Sequence, residues 1–258
     1  MSKACSDPQP PSFGGLCNIP NTITCCNLIS GCIATYWAFM GEPGWALLFI
    51  VIGAVFDFFD GMTARLLHVS SPIGKELDSL ADDITFGFAP SAMVFWCLRE
   101  QLANGQCLEA ASNCQFSIFN CQLVPYLAFV MAAFSALRLA KFNLDERQAM
   151  GFIGLPTPAN ALFWGSLIVG CSKWLVMYPN FLYVVLVLLF FSCYLLVSEI
   201  PMFALKFKHW GWNGNEVKYI FLLTSVAILA FFQTIGIAVV IAWYVFLSVL
   251  TNFLNKKK

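Results

Sequence analysis

Apolar residues run along this chain in long blocks, and polar residues gather in the gaps between them. A helix needs about 20 mostly apolar residues to cross the hydrocarbon of a bilayer. Eight stretches approach that measure: 19–40, 44–67, 77–98, 122–142, 156–178, 180–205, 216–233 and 236–254. None alternates as a barrel strand does, and helices or closed barrels alone satisfy their backbone in lipid. Gly41-Glu42-Pro43-Gly44 and Gln233-Thr234-Ile235-Gly236 read as tight turns between helices. The pattern predicts an all-α polytopic membrane protein with about eight transmembrane helices. The first 18 residues are polar and Pro-rich, with no apolar stretch of the kind a cleaved signal peptide carries.

Composition supports the membrane reading. Of 258 residues, 59% are hydrophobic and 11% charged, against about 25% charged in a soluble domain. The net charge is zero, which gives no electrostatic footprint for nucleic acid. The Lys and Arg residues orient the helices. With the N-terminus in the cytoplasm, 12 of the 14 fall on the cytoplasmic side and only Arg99 and Lys173 on the other. Both termini are then cytoplasmic, and the Lys256-Lys257-Lys258 tail can meet anionic headgroups. The 11 cysteines show no CxxC pair and read mainly as small apolar residues. Cys107, Cys114 and Cys121 recur in the long polar link at about 99–121, where a disulfide is an alternative.

One stretch breaks the apolar pattern. FDFFDGMTARLLHVSSPIGKELDSLADD, residues 56–83, places Asp57, Asp60, Asp78, Asp82 and Asp83 near the cytoplasmic ends of the second and third segments. Asp57 and Asp60 are three apart and Asp78 and Asp82 four apart, so each pair shares a helix face. A short link lets two antiparallel helices aim these four carboxylates at one point. Such a cluster must be neutralised, by protons or by divalent cations. All-oxygen ligands favour hard ions, Mg²⁺ or Mn²⁺, with Ca²⁺ also able to occupy the site. One or two ions there would suit phosphoryl transfer. Gly61 and Ala64 leave room for a phosphate-bearing ligand, and Arg65 can pair with its charge. An acid cluster also suits an ion site or proton relay in a transporter. Asp83 points about 100° from Asp82 on a helix and reads as structural.

The spacing Asp57-x2-Asp60-Gly61-x2-Ala64-Arg65-x8-Gly74-x3-Asp78-x3-Asp82 resembles the signature of the CDP-alcohol phosphotransferase family at all eight positions. IPNTITCCNLISG at 19–31, ALRLAKFN at 136–143 and FIGLPTPANA at 152–161 resemble its phosphatidylserine synthase branch. The resemblance implies a six-helix catalytic core over 19–205, with two further helices and the basic tail in 206–258. It implies a homodimer, and transfer of a phosphatidyl group from CDP-diacylglycerol to an alcohol. Asp57, Asp60 and Asp78 match metal-binding positions, and Asp82 matches the proposed general base, which also touches metal. Asp60, Gly61, Ala64, Arg65, Gly74 and Asp78 match positions that line the CDP site. The polar stripe Asn21, Thr24, Asn27 and Gly31 suits either helix packing or a wall of that site, with Asn27 as the contact.

Arg138, Lys141 and Asn143, at the cytoplasmic end of the fourth segment, are candidates for binding L-serine, with Thr157-Pro158 opening the fifth. Headgroup contact is the alternative for Arg138 and Lys141. Serine rests on the branch resemblance, because glycerol 3-phosphate and inositol phosphate are anions too. The expected setting is a bacterial cytoplasmic membrane with the active site facing the cytoplasm. His68 and His209 read as surface residues in cytoplasmic loops. Glu199, beside Pro201, reads as a partner of Lys206 or as a residue reaching the interface, with no functional role assigned.

Overall fold

A computed structural model of the chain describes residues 18–68, 71–103, 122–144, 152–177, 181–202, 211 and 215–255. The Cys107, Cys114 and Cys121 link, Lys206, His209 and the polar and basic ends fall outside them.

Helix α1 (Ile19–Phe39) has Pro20 in its first turn and ends before Gly41, whose φ of 80° lets the chain turn back. Pro43 then opens α2 (Pro43–Leu66), which packs along α1. His68 follows α2 at φ 51° and bends the chain toward α3 (Pro72–Asp82). The N-terminus of α3 is capped by Ser71, whose hydroxyl accepts from the Gly74 N–H at 3.0 Å.

The third segment, expected as one helix over 77–98, is not continuous α-helix. A π-turn, Asp83–Phe88, joins α3 to α4 (Ala89–Ala103). Pro90 accounts for it: in an α-helix its ring would meet the carbonyl four residues back, and a wider turn gives that carbonyl room.

A 3₁₀ turn, Val124–Ala128, leads into α5 (Phe129–Leu144). Helices α6 (Thr157–Met177) and α7 (Phe181–Val197) follow. The segment expected as helical over 180–205 stops at Val197. Ile200 precedes a proline, which disfavours helical backbone, and Pro201–Met202 forms a short strand, β2, antiparallel to β1 (Phe152–Ile153). Gly154, at φ 76°, donates its N–H to the Ile200 carbonyl at 2.9 Å, tying the entry of α6 to the exit of α7.

The last helix, α8 (Glu216–Asn255), contains one non-helical residue, Gln233, at φ 49° and ψ −123°. Residues 19 apart in a straight helix stand about 28 Å from each other. Yet Trp243 Nε1 donates to Thr224 Oγ1 at 3.0 Å, and the Phe221 and Tyr244 rings are 5.8 Å apart. The arms 216–232 and 234–255 therefore fold back on each other, as the turn expected at 233–236 requires.

The core draws Ala34 and Ala38 from α1, Ile50 from α2, Phe86 and Met93 around the π-turn, and Trp164 from α6. Trp164 is fully buried, and its Nε1 donates to Ser192 Oγ on α7 at 3.1 Å. Among the described residues, four helical stretches are long and apolar enough to cross a membrane: Ile19–Phe39, Pro43–Leu66, Val124–Leu144 and Glu216–Leu254. Large side chains such as Phe58, Leu66, Tyr183, Val187 and Phe231 stand exposed on the helices, as a lipid-facing surface would have them. The described residues are thus all-α but for one two-residue strand pair, with the apolar helices of a membrane protein.

Candidate active site

The close meeting of α1, α2 and the π-turn positions the site. Thr85, on the π-turn, sits where Gly31 and Gly53 leave out a side chain: a Cβ at Gly31 would lie 2.8 Å from Thr85 Cα, and one at Gly53 2.5 Å from Thr85 Cγ2. Thr85 Oγ1 donates to the Asn27 carbonyl at 3.0 Å, and Asn27 Nδ2 donates to Asp82 Oδ1 at 3.1 Å. One turn earlier on α1, Thr24 Oγ1 donates to Asp60 Oδ2 at 2.6 Å. The polar stripe of α1 therefore holds two of the four signature aspartates, one from α2 and one from α3.

Carboxylate oxygens of Asp57, Asp60 and Asp78 lie within 4.8 Å of one another. At that separation two unit charges repel by about 3 kcal/mol, taking an effective dielectric of about 20. Among the described residues the ion pairs are Arg99 with Glu100 and Lys141 with Glu199, so no Lys or Arg offsets this charge by direct contact. Asp78 Oδ1 is buried and has no hydrogen-bond partner. Three convergent carboxylates, one of them with an orphaned oxygen, fit a hard divalent cation.

The cluster opens into a cavity of about 700 Å³. Asp60, Gly61, Ala64, Arg65, Gly74 and Asp78 all line it. Asn21 and Thr24 supply a wall from α1, while Asn27 does not line the cavity and instead bonds Asp82. Pro20, His68, Ser71 and Lys75 complete the lining. Nothing stands within 4 Å of the position a Cβ would take at Gly61, so that glycine keeps cavity space open and serves no packing contact. Carboxylates and the basic groups Arg65, His68 and Lys75 thus line one space, an arrangement suited to a cation and the anionic ligand it bridges.

His68, a surface residue by its sequence setting, is exposed, but it also lines the cavity. Its only sequence signal is its place in the short link, and the bend that brings it there is a backbone property. Lys75 gives no sign beyond its place between signature residues.

The three candidate serine ligands enter different surroundings. Arg138 is 7% exposed, and its Nη1 donates to Thr157 Oγ1 at 3.1 Å. Its Nε has no hydrogen-bond partner. Lys141 pairs with Glu199 at 3.2 Å, while Lys206, the partner expected for Glu199, lies outside the described residues. Asn143 Nδ2 donates to Ser79 Oγ at 2.8 Å, and its carbonyl accepts from Lys75 Nζ at 3.0 Å. Asn143 thereby braces α5 against α3, and Lys141 braces α5 against the segment after α7.

A family model described as CDP-alcohol phosphatidyltransferase matches residues 17–191, about two thirds of the chain. This chain belongs to the CDP-alcohol phosphatidyltransferase family. The match spans α1 to most of α7 and so contains every residue of the cavity and cluster. The chain is 33% identical over 202 residues to the CDP-diacylglycerol–serine O-phosphatidyltransferase of Bacillus subtilis, covering 77% of this chain and 94% of that protein. Proteins of the same name from Helicobacter pylori and Methanocaldococcus jannaschii are each 30% identical. The first match covers 55% of this chain and 54% of the relative, the second 58% and 60%. Six of the eight signature residues line the cavity, and Asp57 and Asp82 stand outside its lining.

Proposed function

We infer that this CDP-alcohol phosphatidyltransferase moves the phosphatidyl group of CDP-diacylglycerol to the hydroxyl of L-serine, giving phosphatidylserine and CMP. The observation that carries the reaction class is the gathering of all the cavity-lining signature residues beside three carboxylates within 4.8 Å. The serine acceptor rests on the relatives named for it.

Asp57, Asp60 and Asp78 would hold a divalent cation, Mg²⁺ or Mn²⁺, which supplies the positive charge that a pyrophosphate requires beside them. Arg65 and Lys75, on the same cavity, bind phosphate oxygens, and Gly61 and Ala64 let the nucleotide lie against α2. Asp82 is the general base. Its Oδ1 is fixed by Asn27, which orients the carboxylate to take the proton of the serine hydroxyl. As that proton leaves, the serine oxygen forms a bond to the phosphorus that carries diacylglycerol. The bond from that phosphorus to the CMP oxygen breaks. Arg138, held by Thr157, faces the serine carboxylate with its unpaired Nε.

The same reading places eight crossings in a bacterial cytoplasmic membrane, a cytoplasmic active site and a homodimer. Support comes from the Lys and Arg asymmetry, the two arms of α8 and the family resemblance. The core is 19–205, and 206–258 is an added hairpin and tail.

The experiment is CMP release by purified protein in detergent, with CDP-diacylglycerol and Mn²⁺, across L-serine, glycerol 3-phosphate, inositol phosphate and water. Serine-dependent release that disappears in Asp82→Asn is expected. Release driven by another alcohol would keep the chemistry and remove the serine assignment. Ion flux without CMP release would favour a transporter. Arg138→Lys should raise the KM for serine about tenfold and leave that for CDP-diacylglycerol nearly unchanged.

A further inference from the structure

A second group of buried polar atoms lies behind Asp82, and none of the interactions described so far uses it. Asp83 begins the π-turn, and its Oδ1 is buried without a partner. Ser135 on α5 is fully buried, and its Oγ has no partner. The two meet over Gly87. A Cβ there would lie 2.6 Å from Asp83 Oδ1, 2.9 Å from Ser135 Cβ and 3.3 Å from Ser135 Oγ. Asn160 on α6 is also fully buried, with neither Oδ1 nor Nδ2 partnered.

The helices order these residues. Ser135 is three residues before Arg138 and shares its face, and Asn160 is three after Thr157 and shares its face. Arg138 and Thr157 are in contact where α5 ends and α6 begins. One turn further in from that contact lie Ser135 and Asn160, and the π-turn that carries Asp83 packs against both helices.

Buried polar groups are nearly always paired, so each orphan asks for an explanation. Here the orphans do not satisfy one another. Asp83 Oδ1, Ser135 Oγ and Asn160 Oδ1 are three acceptors, and an ammonium group carries three donors. Arg138 Nε, one turn away, is an unpaired cationic donor suited to a carboxylate. We propose that Asp83, with Ser135 and Asn160, receives the ammonium group of the acceptor amino acid, while Arg138 and Thr157 face its carboxylate. The inference rests on the transferase reading above and makes Asp83 its specificity-determining residue. An alcohol without an amine, such as glycerol 3-phosphate, would leave Asp83 buried and unpaired, and so would be rejected.

The test uses the full chain in detergent with CDP-diacylglycerol and Mn²⁺, comparing L-serine with L-glycerate, which has a hydroxyl in place of the ammonium. L-Glycerate is measured as alternative acceptor and as competitor. Asp83→Asn should lower the preference for serine over glycerate by about 10- to 100-fold, the effect of losing a hydrogen bond to a charged group. The change should fall on the KM for serine and leave that for CDP-diacylglycerol within about twofold. Ser135→Ala should shift the preference the same way by about two- to fivefold, and it decides the matter if Asp83→Asn does not fold. Unchanged preference in the folded variants, or equal losses toward serine, glycerate and CDP-diacylglycerol, would overturn the inference alone. No serine-dependent CMP release from the unmodified protein would overturn the transferase reading and the inference with it.

Discussion

Gly31→Ala tests how closely α1 and the π-turn must approach for Asp82 to be placed. The added methyl would lie 2.8 Å from Thr85 Cα and 2.9 Å from Thr85 N, and would also collide with Thr85 Oγ1. Carbon atoms rest about 3.5 to 4.0 Å apart, and backbone atoms cannot rotate out of the way. The two elements must therefore part by about 0.7 to 1.2 Å. Overpacking of this kind costs about 1 to 3 kcal/mol, which lowers Tm by about 2 to 12 °C for a chain of this size. The same displacement stretches the 3.0 Å bond from Thr85 Oγ1 to the Asn27 carbonyl, and through Asn27 it moves Asp82. Misplacing a catalytic group by about 1 Å costs about 100-fold in rate. The expected result is a kcat for CMP release lowered about 100-fold, together with the fall in Tm. Ile29→Ala, on the exposed side of α1, should leave kcat within about twofold. A Gly31→Ala protein with unchanged Tm and kcat would refute the claim that this contact sets the base.

Gly61→Ala should behave in the opposite way. Nothing stands within 4 Å of its added methyl, so Tm should hold while the KM for CDP-diacylglycerol rises about tenfold or more, as the methyl enters the cavity. Chelation should abolish CMP release, and Mg²⁺ or Mn²⁺ should restore it, because the three clustered carboxylates have no cationic partner among the described residues. Full activity in excess chelator would remove the metal from the reading. Trp243→Phe removes the 3.0 Å bond to Thr224 between the arms of α8. It should lower Tm by about 1 to 6 °C, as one net hydrogen bond does, and leave kcat and both KM values in place.

The acid cluster is legible in the sequence because its information is local. Asp57 with Asp60 and Asp78 with Asp82 are set by helical spacing, and a link of a few residues brings their two helices together. The apolar blocks announce the helices for the same reason, and Gln233 falls where the sequence places a turn. The π-turn at Asp83–Phe88 is not legible: Pro90 hints at a disturbance without saying how the chain absorbs it. The bonds that fix the aspartates are out of reach too. Thr24 to Asp60 spans 36 residues and Asn27 to Asp82 spans 55. Neither follows from local periodicity, because each joins elements far apart in the chain, and the second also rests on two glycines of α1 and α2 letting Thr85 in against Asn27. Arg138, Lys141 and Asn143 look equivalent along one helix end, yet one is buried against Thr157, one pairs with Glu199 and one bonds Ser79. Spacing along a helix decides which side chains share a face. What that face meets is decided by packing between elements far apart in the chain.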